Sequence, residues 1–346
     1  MPKPPRIDLY SDTVTRPCAA MRRAMAEAEV GDEQKFEDPT TSRLEEMAAE
    51  ILGTEAAVFL PSGSMCNQIA YRVHTGGGDE ILMDRTSHAF NYEVGAVAAL
   101  SGAQVRPLDG HRGIFTAAQV EEAVRPIVNH APRTRLVSIE QTSNMGGGTV
   151  WPLETIREIA SVARRHAIAM HMDGARLMNA VVASGTPAHK FCEPFDSVWL
   201  DFTKGLGAPV GAVLAGPKAF VREAWRFKHQ FGGAMRQSGI IAAACLYALE
   251  HNIGRLAEDH SNARRLAEGL AQIPGIAVEE PETNLVFLDV SGLGMASTEF
   301  RDRLAGHGVR MQPLKGGRLR AVTHLDITAA MVDEALAAVR AVAKRS

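Results

Sequence analysis

From about residue 40 the chain alternates two textures: stretches with apolar residues at three- and four-residue spacing, and short runs that are apolar throughout. The spacing predicts helices over residues 41–52 and 65–75, and the runs predict strands over 56–60, 80–83, 136–140, 167–172 and 197–202. Strands that are apolar on both faces need helices on both faces, as in a mainly parallel sheet with crossover helices. Past about residue 250 the pattern changes. A helix is expected over 251–272, then strands over 276–280 and 284–290, a helix over 297–306, strands over 309–312 and 319–323, and a last helix from Thr328. Adjacent strands with helices on one side read as a smaller α+β unit. The expected organisation is an N-terminal arm (1–30), a large α/β domain (31–250) and a small C-terminal α+β domain (251–346).

Composition narrows the class of ligand. The 346 residues carry 37 basic and 40 acidic side chains, a net charge of -3, and are 46% hydrophobic. That balance offers no field to nucleic acid or an anionic membrane, and leaves a small molecule as the expected partner. No apolar run reaches the roughly 18 residues of a membrane span. The basic start MPKPPR leads into IDLYSDT without the apolar core of a signal peptide. Cys18, Cys66, Cys192 and Cys245 lie far apart and read as reduced thiols, so a cytoplasmic protein is expected. The twelve histidines include no H-E-x-x-H pattern, and no catalytic metal is expected.

The most informative residues are Asp173, directly after the apolar run AIAMHM, and Lys204, just past SVWLDF in TKGLGAPVG. Both fall near carboxyl ends of strands, where open α/β sheets bind ligands. Pyridoxal phosphate needs such a pair: a lysine for a Schiff base and an acid to keep the ring nitrogen protonated. PSGSMCN (61–67) follows a strand and opens a helix, so Ser62, Gly63 and Ser64 offer hydroxyls and backbone N–H groups to a phosphate. His88, in DRTSHAFNYE, reads from its position alone as a polar loop histidine, with stacking on a pyridine ring and reach to a substrate hydroxyl as the functional alternative. Arg176, Arg236 and Arg320 have glycine-rich or apolar flanks and are candidates for carboxylate or phosphate. His171 reads as a packed strand residue, and the glycines at 146–148 as a turn.

These segments resemble the threonine aldolase family, in the β-eliminating lyase/threonine aldolase group of fold-type-I pyridoxal-phosphate enzymes. SDTVTRP (11–17), EDPT (37–40), FLPSGSMCN (59–67), HMDGAR (171–176), TKGLGAPVG (203–211), MRQSG (235–239) and VTHLD (322–326) carry the likeness in order across nearly the whole chain. The resemblance implies a seven-stranded, mainly parallel sheet with a smaller C-terminal domain, and a homotetramer with active sites shared between subunits. It makes Lys204 the Schiff-base lysine and Asp173 the partner of the ring nitrogen. Arg176 becomes a neighbour of the ring's phenolic oxygen and of the substrate, and His88 the residue on the ring face. Ser62, Gly63 and Ser64 would hold the phosphate with Arg236 of an adjacent subunit, and Ser11 and Arg320 the substrate carboxylate.

Three positions depart from the family pattern: Ser143 where a histidine is common, Lys35 in place of a tyrosine, and His229 in place of a lysine. All three are expected near the substrate side chain. The implied reaction cleaves the Cα–Cβ bond of an L-β-hydroxy-α-amino acid, of the threonine, allo-threonine, phenylserine or 3-hydroxyaspartate type, to glycine and an aldehyde. His88 is the candidate base, directly or through a water. Because substrate orientation selects the bond that breaks, β-elimination or racemisation is the enzymatic alternative, and a relative without turnover the non-enzymatic one.

Overall fold

The computed structural model describes residues 5–344. The first elements are β1 (Ile7–Asp8), α1 (Ala19–Ala26), α2 (Pro39–Leu52), β2 (Ala56–Leu60), α3 (Gly63–His74), β3 (Glu80–Asp84), α4 (His88–Asn91), β4 (Gln104–Leu108) and α5 (Ala117–Ala123). They are followed by β5 (Thr134–Glu140), α6 (Leu153–Arg165), β6 (Ala169–Asp173), α7 (Leu177–Ser184), α8 (Ala188–Cys192), β7 (Ser197–Asp201), β8 (Ala212–Gly216), α9 (Lys218–Gln230) and α10 (Gly239–His251). The remainder comprises α11 (Leu256–Ala271), β9 (Ala277–Val278), β10 (Leu285–Asp289), α12 (Ser297–Ala305), β11 (Val309–Arg310), β12 (Gln312–Pro313), β13 (Arg318–Val322) and α13 (Ala329–Ala343).

The large sheet has seven strands in the order β2-β8-β7-β6-β5-β3-β4. Only β8 runs against the others, pairing antiparallel with both β2 and β7. The reason is length: residues 202–211 separate β7 from β8, without room for a crossover helix, so the chain must turn back. That loop carries Lys204. Strands β3, β7 and β8 are buried at every residue, as expected of a sheet covered on both faces. Alternate residues of β2 show the two layers. Val58 and Leu60 pack with Ile69 of α3 and Phe220 and Phe227 of α9, whereas Ala57 and Phe59 join the core formed with α2, α6 and α10.

A second, antiparallel sheet has the order β12-β13-β10-β9. Its core draws on α11, α12 and α13, and also on Ile7 and Leu9 from the other end of the chain. β1 reaches it by pairing in parallel with β11.

The helix expected over 251–272 is corrected by the structure: α10 ends at His251 and α11 begins at Leu256. Helix α10, GIIAAACLYALEH, has little apolar periodicity because most of its circumference is buried, and so gave no amphipathic signal. Helix α11 spans both cores, with Leu256 in the larger and Leu266 and Leu270 in the smaller. Among the described residues no helix is long and apolar enough to cross a membrane.

Candidate active site

Four central strands, β3, β5, β6 and β7, each end in an acid: Asp84, Glu140, Asp173 and Asp201. Parallel register sets Glu140 directly beside Asp173. Above the last three lies a cavity of about 500 Å³. Of the sequence-derived candidates, Ser11, Ser62, Gly63, Ser64, His88, Asp173, Arg176, Lys204 and Arg320 all line it.

The floor is acidic. Asp173 is buried, accepting from Asn67 Nδ2 at 2.8 Å and from the Ala175 amide at 3.0 Å. Burial, with Glu140 and Glu93 nearby, pushes its carboxyl up to about 7. A carboxylate so placed calls for a positive partner. Glu140 accepts from the His88 amide at 2.6 Å and the Asn144 amide at 2.7 Å, and its own carboxyl is pushed up by burial. The His88 ring is held through Nδ1 by Glu93 Oε1 at 2.9 Å. That contact first, and the neighbouring acids after it, hold the imidazole above its ordinary value.

Lys204 Nζ meets Asp201 Oδ2 at 3.0 Å and lies 5.9 Å from the centre of the Trp199 ring. Across the cavity α3 begins at Gly63, capped by the Ser62 side chain, which accepts from the Met65 amide. The first N–H groups of a helix are left without helical partners and attract anions. Glycine at 63 is a steric requirement, because a Cβ there would fall 2.2 Å from the Trp199 ring. The helix start therefore rests directly on that indole.

The basic wall holds two arginines. Arg176 gives Nε and Nη2 to the two oxygens of Asp12, each at 2.7 Å. Arg320, from β13, gives Nη1 to Asn144 Oδ1 at 2.6 Å, and its buried Nε has no hydrogen-bond partner among the described residues. Burial and the nearby Arg176 lower its guanidinium to about 10.

Four candidates do not line this cavity in the single chain. Ser143 is buried behind it, packed so that a Cβ on Gly113 would meet its hydroxyl. Lys35 closes a short turn at residues 33–35, and His229 lies in the last turn of α9. Arg236 is largely exposed and pairs with Asp32 at 3.1 Å. Sequence reasoning passed over Asp12, Asn67, Glu93, Glu140, Asn144 and Asp201. The strand-ending acids were the available signal for two of these, and Asp12 and Asn67 sat inside quoted motifs without a role. Among the described residues no group of three or more His, Cys, Asp or Glu side chains is placed to hold a metal ion.

A lysine on the loop after β7 and a carboxylate at the end of β6 share one cavity, and a mainly parallel sheet is flanked by a smaller antiparallel one, the α/β architecture of the fold-type-I class. The profile of the beta-eliminating lyase family matches residues 8–292. The chain is 40% identical to low-specificity L-threonine aldolase 1 of Arabidopsis thaliana over 329 residues, 93% of this chain and 92% of the relative. It is 39% identical to the low-specificity L-threonine aldolase of Escherichia coli K12 over 336 residues, covering 97% and 98% of the two chains. A solved threonine aldolase of Leishmania major superposes with a TM-score of 0.84 at 19% identity, over 97% of this chain and 99% of that one. The chain belongs to the beta-eliminating lyase family, and both of these relatives are named low-specificity L-threonine aldolases.

Proposed function

We propose that this protein is a pyridoxal-phosphate-dependent carbon–carbon lyase. It cleaves L-β-hydroxy-α-amino acids, such as threonine, allo-threonine, phenylserine or 3-hydroxyaspartate, to glycine and an aldehyde. The observation that carries this reading is convergence: one cavity joins the Lys204 amine, the buried Asp173 carboxylate, the N-terminus of α3 and the unpartnered Arg320 Nε. The residues fit the cofactor chemically. Lys204 supplies the amine for its aldehyde, Asp173 the counter-charge for a protonated ring nitrogen, and residues 62–64 the N–H groups for its phosphate. Arg236 of an adjacent subunit would complete the phosphate site, and His88 would lie on the ring face.

When bound, pyridoxal phosphate supplies the electron sink for the pair left at Cα as Cα–Cβ breaks. The protein's part is orientation and proton handling. Arg320 and Ser11 hold the substrate carboxylate, and that grip selects which bond at Cα is aligned for cleavage. His88, fixed through Nδ1 by Glu93, takes the proton of the β-hydroxyl. Because its imidazole is held high, the neutral form that accepts this proton gains ground only above the ordinary imidazole range. Lys35 and His229, both exposed, keep the roles expected near the substrate side chain through the assembled oligomer, and Ser143 would act from within its own chain, next to Asn144 of the cavity wall. A homotetramer is supported by the exposure of Arg236 and of Phe36, 69% exposed, beside Lys35. A cytoplasmic setting is supported by four free cysteines. The division into an arm (1–30) and domains 31–250 and 251–346 is supported by the two cores, with Ile7 and Leu9 of the arm seated in the second.

The test is to give the cofactor-loaded protein each of the four amino acids. Glycine with the matching aldehyde is expected. Ammonia with a keto acid, or loss of chirality alone, would replace cleavage with β-elimination or racemisation. Light scattering in solution tests the tetramer.

A further inference from the structure

Asn67, in the second turn of α3, is completely buried, and both polar atoms of its side chain are engaged. Oδ1 lies 2.7 Å from Trp199 Nε1 and 3.2 Å from His171 Nε2. Nδ2 donates to Asp173 Oδ2 at 2.8 Å and to Glu93 Oε1 at 2.9 Å. An indole nitrogen only donates, so Trp199 fixes which end of the amide is oxygen. His171 Nε2 must then carry its hydrogen, leaving Nδ1 to accept from the Ser197 hydroxyl at 2.8 Å. Ser197 Oγ in turn accepts from His74 Nε2 at 2.8 Å. Burial keeps both rings neutral, pushing His171 well below its ordinary value and His74 to about 4. The chain of donors has a single direction: His74 to Ser197, to His171, to Asn67. It ends in two amide hydrogens aimed at two different carboxylates.

Those carboxylates serve opposite parts of the site. Asp173 faces Glu140 from β5, Glu93 and His88 from the segment after β3, and Asn67 from α3. Glu93 also receives Gln68 Nε2 at 2.6 Å and holds His88. We propose that Asn67 is a positioning residue that ties the carboxylate meeting the cofactor's ring nitrogen to the pair that holds His88, so that one amide sets both. This inference rests on the reading of the site as a pyridoxal-phosphate site. His171, which the sequence presented as a packed strand residue, is the second member of the device, because its N–H supports the Asn67 oxygen.

The test uses Asn67→Leu, which removes both donors, and Asn67→Asp, which keeps the shape but bridges at most one carboxylate. Asn67→Asp preserves the fold if the leucine variant does not. Two readouts lie on different groups. In cofactor-free protein, NMR titration of the His88 ring is expected to move to higher pH, because a less compensated Glu93 holds the imidazole proton more tightly. Separately, pyridoxal-phosphate affinity at neutral pH is expected to fall about tenfold or more, the scale of a lost hydrogen bond to a charged group. The low-pH limb of cofactor binding should move up with it. Movement of both readouts in one variant supports the bridge. Movement of only one, or of neither, overturns it. Wild-type protein that binds no pyridoxal phosphate would sink the functional reading instead, and the His88 titration would still judge the role of Asn67 at Glu93.

Discussion

Arg176 and Arg320 face the same cavity, and both are more than nine-tenths buried. Their surroundings differ in one respect. Arg176 meets a carboxylate with two parallel bonds, and that partner, Asp12, is itself buried and also receives Asn284 Nδ2 at 3.1 Å. Among the described residues, Arg320 meets only the neutral Asn144 oxygen and keeps an unpartnered Nε. A guanidinium whose charge is already answered is fixed in place by the framework. One held by an amide keeps an electrostatic demand that an anionic ligand can satisfy. The contrast separates what holds the site together from what the site holds.

The sharpest way to break this contrast is to remove the answering charge. Asp12→Asn leaves Arg176 buried without its counter-ion, and should cost about 3–5 kcal/mol in a denaturant titration. The Arg176 guanidinium holds the Asp12 carboxyl well below the usual range against the cost of burial. Its contribution is therefore complete above the unfolded carboxylate value and fades only as pH falls through the lower, folded one. Arg320→Leu should do the reverse. Stability is retained or raised, because a desolvated charge is removed, while kcat/KM falls on the order of 10²-fold, about 2.7 kcal/mol of lost transition-state stabilisation. Equal destabilisation by the two substitutions would erase the distinction.

The acidic floor extends the comparison to groups that await a partner. In cofactor-free protein, Asp173→Asn should raise Tm at pH 8 by about 2–4 °C, the shift expected of roughly 1 kcal/mol in a large domain. The sign follows from a folded carboxyl raised to about 7: ionisation is resisted in the folded state, so stability falls as pH climbs from the unfolded value to the folded one. Near pH 4 the advantage should vanish. Scanning calorimetry at the two pH values checks both halves. The smallest effect is expected from Glu93→Gln, which removes the chief cause of the raised His88 value. The rising limb of kcat/KM against pH should move toward lower pH, as the imidazole loses the contact that holds its proton.

Much of the frame was legible because burial leaves a pattern. The strands at 56–60, 80–83 and 197–202 are apolar on both faces, and the structure places β2, β3 and β7 there. Elements without such a pattern were missed. β4 is largely solvent-facing, and α10 is apolar on nearly every side. The cavity followed the same rule. Residues at strand ends or a helix start, Asp173, Lys204 and Ser62 to Ser64, were readable from position. Asn67, Glu93 and Asn144 act through hydrogen bonds to residues far away in sequence, and no local spacing announces a partner 106 positions distant, as Asp173 is from Asn67. Arg236, Lys35 and His229 lie outside the single-chain cavity, on surface whose role depends on what sits against it.

β1 has a consequence beyond its two residues. The Val322 amide donates to the Leu9 carbonyl at 2.9 Å, and Leu9 is fully buried in the same core as Leu319, Ala321 and Val309. Ser11 follows two positions later, and Arg320 lies between Leu319 and Ala321. The two groups assigned to the substrate carboxylate are thus fingers of one hand, whose knuckles are hydrophobic and out of reach of any ligand. Trimming Leu9 to alanine would loosen both fingers together. A mutational screen scored on turnover would register that damage as a faulty grip, at a position that never meets the molecule being gripped.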